Sequence, residues 1–199
     1  MARPRGRTLT FVTGNAGKVA ELRSLAEPLG FAVVQDRRGY PEVQADTLAE
    51  VCSAGADHLL ASGLKPPFLL EDSGLFVAAL KGFPGVYSRH ALDTIGCAGL
   101  LKLLGDVEQE LRSASFRTHL LYVDAAGRRH AFEGTCKGRI APRAAGSAGF
   151  GFDPVFVPAG AGVDGRTFAQ MDTAEKTRLS HRGKAVRAFL ASLAKSAKT

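Results

Sequence analysis

Residues 9–34 read LTFVTGNAGKVAELRSLAEPLGFAVV, a segment that predicts a strand, a loop, a helix and a second strand in succession. Residues 9–12 are apolar and suited to a strand, and TGNAG at 13–17 interrupts that pattern. Apolar residues then recur at helical spacing, at Val19, Leu22, Leu25, Ala26 and Leu29. Gly30 is expected to end the helix, and residues 31–34 return to a strand. This order of elements is typical of an α/β protein.

The same alternation continues along the chain. Thr47 and Glu50 fit a capping box at the start of a second helix. Residues 68–70 form a buried-looking strand that leads into EDSG at 71–74, and apolar residues within 95–104 suggest another helix.

The second half begins with two strands in direct succession. Residues 116–124 and 129–140 are expected to pair across a turn at 125–127. Asp172 and Glu175 suggest a further helix cap. The last helix is indicated by an apolar stripe, Val186, Phe189, Leu190 and Leu193.

The length and composition favour one globular domain. The chain has 199 residues, 45% of them hydrophobic, which is enough for a substantial core. We predict a single domain over residues 1–199, with the hairpin at about 116–140 in its second half. No apolar run approaches the roughly 20 residues that cross a bilayer, so no membrane partner is expected. No long apolar segment follows the basic residues 1–7, which argues against a secretory signal.

Charge and cysteine usage indicate which partners and which redox compartment to expect. The net charge of +7 could attract a polyanion, but outside residues 1–7 and 178–198 the basic residues are dispersed. A nucleic-acid partner is therefore not expected. The three cysteines are widely spaced, at Cys52, Cys97 and Cys136, and suggest reduced thiols in a cytosol.

The loop at residues 13–18, TGNAGK, is the first candidate site. A loop between a strand and a helix directs backbone N–H groups and the positive helix end at an anion. It is not a P-loop, because GxxxxGK[ST] would need glycine at Val12 and Ser or Thr at Val19. An ordinary turn is the alternative, and Asn15 together with Lys18 favours phosphate binding.

Three acidic residues form the second candidate site. Glu42 stands alone, whereas Glu71 and Asp72 are adjacent at the end of an apolar strand. Carboxylates placed there are costly unless something satisfies them, and Mg²⁺ would do so. Neighbouring strand residues point to opposite faces, so the pair can share one ion only if the backbone bends, which Ser73-Gly74 permits. The alternative is that one carboxylate caps the following turn.

Two further segments suit a flat, polar ligand. Residues 149–154, GFGFDP, place an aromatic ring between glycines, where a base could stack. A core aromatic in a tight turn is the alternative. Lys176 and SHR at 180–182 supply donors that would suit a carbonyl on a base edge. A helix surface with ion pairs is the alternative for these residues.

In this order, the segments resemble those of the inosine triphosphate pyrophosphatase family, from residue 9 to about residue 193. The carriers are FVTGN at 11–15 with Lys18, YPEVQ at 40–44, EDSGL at 71–75, GFPGVYS at 82–88, GFGFDP at 149–154, EK at 175–176 and SHR at 180–182. The second and third of these look more like the archaeal and eukaryotic branch. Members of the family hydrolyse non-canonical purine triphosphates (ITP, dITP and XTP) to the monophosphate and pyrophosphate, and so cleanse the nucleotide pool.

The resemblance implies a fold, a cofactor and residue roles. The fold would be an elongated mixed α/β protein with a central curved mixed sheet, two lobes and the active-site cleft between them, usually as a homodimer. Mg²⁺ would be held by Glu42, Glu71 and Asp72, and Asp72 is the candidate to activate the water. The triphosphate would be bound by Thr13, Asn15 and Lys18. The remaining substrate-binding positions would be Ser73, Phe150, which would stack on the purine, Asp153, Lys176, Ser180, His181 and Arg182.

The chain departs from the family pattern at three places, one of which is the loop at residues 143–149, RAAGSAG, which differs from the family in detail. Many members carry a lysine in the helix sequence ENAxxKA, whereas EVCSAGA at 50–56 has none. Gln170 stands where the family usually has Glu. Two alternatives stay open: a Maf-like nucleotide pyrophosphatase with other base preferences and, in a different class, a basic nucleic-acid-binding module.

Overall fold

The computed structural model describes residues 7–161 and 165–196. The basic N-terminal segment noted above lies outside these residues, except for Arg7. Among the helices of the described residues, none is long and apolar enough to cross a membrane.

Strands and helices alternate in the first part of the described chain, whereas the second part has three strands with no α-helix between them, followed by two helices. The strands are β1 (Arg7–Val12), β2 (Phe31–Asp36), β3 (Phe68–Val77), β4 (Ser113–Val123), β5 (Arg129–Ile140) and β6 (Phe156–Pro158). The helices are α1 (Ala16–Ala26), α2 (Leu48–Ala61), α3 (Ser88–Thr94), α4 (Gly96–Leu103), α5 (Thr173–Leu179) and α6 (His181–Ser196).

The strands form one six-stranded sheet in the order β2-β1-β3-β4-β5-β6. β1 pairs in parallel with β2, where Phe11 lies opposite Gln35, and with β3, where Phe11 lies opposite Leu69. β5 and β6 are antiparallel, so the sheet is mixed. The predicted mixed α/β class is confirmed.

The chain divides into two compact units. The first comprises Met1–Asp72, His119–Glu133 and Gly183–Thr199, and the second comprises Ser73–Thr118 and Gly134–Arg182. The predicted cleft between two lobes stays a prediction, as does the single domain over the whole chain.

Each unit has its own apolar core. In the first, most of the predicted stripes of α1 and α6 is buried with β1, through residues that include Phe11, Leu22, Val186, Phe189 and Leu190. Leu29, predicted as part of the first stripe, lies beyond α1 and is exposed. In the second, Phe116 packs edge-on against Phe156 with ring centroids 4.7 Å apart, and Phe168 packs 5.2 Å from Phe156.

The local helix signals are confirmed. Thr47 and Glu50 form the capping box of α2, and the Asp172 side chain accepts from Glu175 N at the start of α5. After α1 and a short 3₁₀ turn, Gly30 takes a positive φ of 82°, which favours glycine and ends the helical segment.

β3 differs from its predicted bounds. It does not stop before residues 71–74 but runs without interruption over Phe68–Val77. Position 74 of the strand requires glycine because a Cβ there would lie 2.1 Å from Gly85 O. The glycine therefore marks a close approach of two backbone segments, not a loop. As a result, Glu71 and Asp72 lie in the middle of a strand.

Candidate functional site

The loop before α1 is held in shape by its own side chains. Asn15 Oδ1 accepts from Gly17 N at 2.9 Å and from Lys18 N at 3.2 Å, and Thr13 Oγ1 accepts from Asn15 N at 3.1 Å. These backbone N–H groups are used inside the loop. Attraction of an anion to this loop therefore depends on the Lys18 ammonium and the positive end of the α1 dipole.

Lys18 reaches the middle of β3. Its ammonium donates to Glu71 O at 3.2 Å and lies 3.7 Å from Glu71 Oε1. The Glu71 side chain is fully buried, whereas that of Lys18 keeps 15% of its surface exposed. A buried carboxylate needs such a cation, and the exposed part of the ammonium can face an anionic ligand.

Tyr40 lies next to the backbone of Glu71, one of the three predicted metal-binding residues. Its hydroxyl is 3.5 Å from Glu71 O, at the long limit of a hydrogen bond. Burial raises the pKa of the Tyr40 hydroxyl most, and electrostatic interactions with Cys52, Asp72, Glu71 and Glu42 raise it further. All three carboxylates are therefore within electrostatic reach of one phenol, although they are far apart in the sequence.

These carboxylates fit Mg²⁺ by their chemistry. Glu71 is buried, Asp72 is half-buried and Glu42 is exposed. Within residues 7–161 and 165–196, no three His, Cys, Asp or Glu side chains form a group ready to hold a metal ion. Mg²⁺ usually takes one or two carboxylates and completes its shell with phosphate oxygens and water. The hard oxygen donors near Tyr40 match that preference.

In the second unit, Asp153 organises the residues predicted to meet the base. It is 3% exposed, and its Oδ2 accepts from Lys176 Nζ at 2.6 Å and from Phe150 N at 2.7 Å. Gly149 has a φ of +75°, and a Cβ on it would lie 2.1 Å from the same oxygen. The turn that carries Phe150 therefore requires glycine at 149 and a carboxylate at 153.

Two cations face the half-buried ring of Phe150. Lys176 Nζ lies 4.2 Å from the ring centroid, and Arg182 Cζ lies 5.5 Å from it. Both distances are within the range of cation–π attraction. The ring and the donors predicted for the base are thus brought together in one place.

Residues 180–182 are buried, so the helix-surface alternative is wrong for them. Ser180 is 0% exposed, His181 4% and Arg182 2%. The His181 ring stacks on Phe116 with centroids 4.8 Å apart, and Arg182 Nη2 donates to Ser73 Oγ at 3.0 Å. Buried donors of this kind are costly unless they have polar partners.

Gln170 has a local role. Its side-chain oxygen accepts from Thr167 N at 3.0 Å, and the two residues form a capping box around a short 3₁₀ turn. Thr167 Oγ1 in turn donates to Ala145 O at 2.7 Å. The amide at position 170 thus closes this turn and ties it to the segment before Phe150.

Tyr40 lies beside Glu71, although the sequence analysis gave it no role in the site. A signal was present, because Gly55 lies in the middle of a predicted helix, where glycine often indicates a close neighbour. In the structure that neighbour is the ring of Tyr40.

The model of the Ham1 family matches residues 9–192 of the chain. The chain belongs to the Ham1 family. This Ham1 chain is 54% identical over 181 residues to the dITP/XTP pyrophosphatase of Thermococcus kodakarensis, covering 91% of this chain and 94% of the relative. It is 44% identical over 180 residues to the dITP/XTP pyrophosphatase of Pyrococcus horikoshii, covering 90% and 92%.

A solved Ham1 structure has the same fold. The HAM1 protein from Coxiella burnetii superposes with a TM-score of 0.78 at 28% identity, covering 95% of this Ham1 chain and 99% of the other. The family membership inferred from the order of the sequence segments is therefore confirmed.

Proposed function

We propose that this Ham1 chain hydrolyses non-canonical purine nucleoside triphosphates, ITP, dITP and XTP, to the nucleoside monophosphate and pyrophosphate. The similarity to the dITP/XTP pyrophosphatases of two archaea over most of the chain supports this activity. The physiological result is removal of these nucleotides from the pool.

The observation that carries the proposal is the environment of Phe150. Lys176 and Arg182 are two cations near the ring on which a base would stack, and they are the donors assigned to the base. Stacking contributes roughly 1–3 kcal/mol and does not depend on which base is bound. Selection among bases therefore falls to the donors.

The donors favour a purine with a 6-oxo group. Lysine and arginine can only donate hydrogen bonds, so a carbonyl oxygen satisfies them and the 6-amino group of adenine does not. A buried donor left without an acceptor costs about 1–3 kcal/mol. This difference discriminates hypoxanthine and xanthine against adenine.

The reaction is assigned to the carboxylates near Tyr40. Glu42 together with either Glu71 or Asp72, which are adjacent in an uninterrupted strand and so point to opposite faces, would hold Mg²⁺, which when bound neutralises charge on phosphate oxygens. Lys18 adds a positive charge at the triphosphate, and Thr13 and Asn15 hold the loop that carries it. Asp72 accepts a proton from the water that attacks the α-phosphorus. The bond between that phosphorus and the bridging oxygen breaks, and pyrophosphate leaves.

We also propose that the chain acts as a homodimer in the cytosol. Phe83 and Tyr87 are close in sequence and are 41% and 45% exposed, which suits burial against a second copy. All three cysteines are free thiols, as expected in a reducing compartment. Size-exclusion chromatography with light scattering measures the molecular mass in solution and so tests the dimer. Tyr87→Glu should shift the equilibrium toward the monomer.

The activity is tested by comparing ITP with ATP, first with Mg²⁺ and then with EDTA, and by scoring pyrophosphate against phosphate. We expect pyrophosphate from ITP in Mg²⁺ only, and little product from ATP. Faster turnover of dTTP or UTP than of ITP would instead support the Maf-like alternative. Salt-dependent binding to RNA or DNA with no product from any triphosphate would support the nucleic-acid-binding alternative.

A further inference from the structure

A glycine lies in the middle of α2, where it weakens a helix relative to alanine. A Cβ on Gly55 would lie 2.7 Å and 2.8 Å from Cδ2 and Cε2 of Tyr40, and 3.0 Å from Leu70 Cδ1. Carbon atoms pack at about 3.5–4.0 Å, so even one methyl group would displace the ring. The Tyr40 ring therefore packs directly against Gly55, which forms the seat of the ring.

The ring connects this seat to β3. Tyr40 packs against the buried cluster that contains Cys52, Ala56 and Leu70. At its other end, its hydroxyl lies 3.5 Å from Glu71 O, the same carbonyl to which Lys18 donates. One side chain thus reaches from the middle of α2 to the strand that carries Glu71 and Asp72.

Glu42 depends on this anchor. Residues 37–47 belong to no strand or helix, and Glu42 is exposed within them. In the same segment, Tyr40 is the residue that packs into the apolar cluster of the first unit. The Tyr40 ring therefore anchors the irregular segment in which Glu42 lies two residues later.

We propose that Tyr40 is a positioning residue whose ring, seated on Gly55, anchors the segment that carries Glu42 to the end of the first unit that contains Glu71, and so sets the affinity for a divalent cation. This inference rests on the metal role given to these carboxylates in the proposed function. It also accounts for the missing helix lysine, because any side chain at position 55 would occupy the volume of the Tyr40 ring.

Mn²⁺ binding to the full chain without nucleotide, followed by electron paramagnetic resonance, tests the proposal. Gly55→Ala displaces the ring and Tyr40→Ala removes it, and each should weaken Mn²⁺ binding by about tenfold, as loss of an outer-shell support does. Tyr40→Phe keeps the ring and should retain more affinity than Tyr40→Ala. In Tyr40→Ala, ITP turnover should need more Mg²⁺ for half-maximal rate and largely recover at saturating Mg²⁺.

Gly99→Ala is the matched control. It adds a methyl group to another helical glycine, in α4 of the second unit, where the Cβ would lie 2.4 Å from Ile95 Cβ. We expect it to lower the unfolding temperature and to leave Mn²⁺ affinity unchanged. An equal loss of Mn²⁺ affinity in this control would show a general effect of instability and overturn the inference.

The outcomes separate the two proposals. Wild-type Mn²⁺ affinity in folded Tyr40→Ala, with an active wild-type enzyme, overturns the positioning role alone. A wild-type protein that binds Mn²⁺ with the expected variant response but releases no pyrophosphate from ITP overturns the proposed function alone. Absence of Mn²⁺ binding by an active wild-type enzyme overturns the positioning role as well.

Discussion

Asp153 Oδ2 accepts a hydrogen bond of 2.6 Å from Lys176 Nζ, and the two side chains are only 4% and 5% exposed. The same oxygen accepts from Phe150 N, and the Lys176 ammonium faces the Phe150 ring. One buried ion pair therefore fixes both the aromatic ring and a cation beside it. Asp153 acts on the proposed base site through these neighbours.

The first prediction concerns the stability of this ion pair. Asp153→Asn leaves the Lys176 charge buried without its carboxylate, which should lower the free energy of unfolding by about 3 kcal/mol. Urea unfolding measures the change. The control is Asp93→Asn, which breaks an exposed pair with Arg89 and should cost under about 1 kcal/mol. Equal losses in both variants would contradict the buried character of the first pair.

The second prediction concerns Asp72. Asp72→Asn removes the proton acceptor and should lower ITP turnover by about 10²–10⁴-fold while the fold and nucleotide binding persist. Steady-state kinetics and calorimetric nucleotide binding measure the two effects. The control is Asp57→Asn, which removes an exposed carboxylate paired with Arg129 on the first unit. Near-normal turnover in Asp72→Asn would remove Asp72 from the mechanism.

The third prediction separates stacking from base selection. Phe150→Leu should lower kcat/KM for ITP and for GTP by similar factors, about five- to a hundredfold, because stacking does not distinguish bases. Phe150→Tyr keeps the ring and serves as the control. A loss confined to ITP would mean that the ring itself contributes to base selection.

The fourth prediction concerns acid stability of the turn between β4 and β5. Asp124 lies 2.9 Å from His130 Nε2 and accepts from Arg128 and from the backbone N–H of Ala126. The His130 contact first, then the bonds from Arg128 and Ala126, hold the pKa of the Asp124 carboxyl well below its usual range. A carboxyl whose pKa is lower in the folded than in the unfolded state stabilises the folded protein at pH values above its unfolded-state pKa.

That stabilisation is therefore full above the unfolded pKa of about 3.9 and is lost as the pH falls below it. The free energy of unfolding should fall more steeply between about pH 4 and pH 2 in the wild type than in Asp124→Asn. Denaturant unfolding at a series of pH values measures both curves. Parallel curves would show that Asp124 does not contribute to the acid transition.

Local signals predicted α1, α2, α4, α5 and α6 but not α3. The caps formed by Thr47 and Asp172 were readable because each cap acts on an N–H group three residues away. Gly30 was readable for the same reason, since its positive φ ends the segment that precedes it.

Glycines in contact with distant segments were misread or left unexplained. Gly74 looked like part of a bend after the strand but lies within β3, and Gly55 was noted only as part of a helix segment that lacks the family's lysine. In both cases the requirement for glycine comes from a segment elsewhere in the chain, Gly85 O for one and the Tyr40 ring for the other. The spacing of apolar residues along the chain does not reveal such a contact.

The sequence by itself determined the alternation of elements, the caps and, through the order of its segments, the Ham1 family. Only the tertiary structure decided that residues 180–182 are buried, that Lys18 meets Glu71, and that Tyr40 links α2 to the acidic residues. The physical reason is the separation along the chain over which each interaction acts. Hydrogen-bonded caps and apolar periodicity act within a few neighbouring residues, whereas burial and the pairing of charges depend on which distant segments pack together.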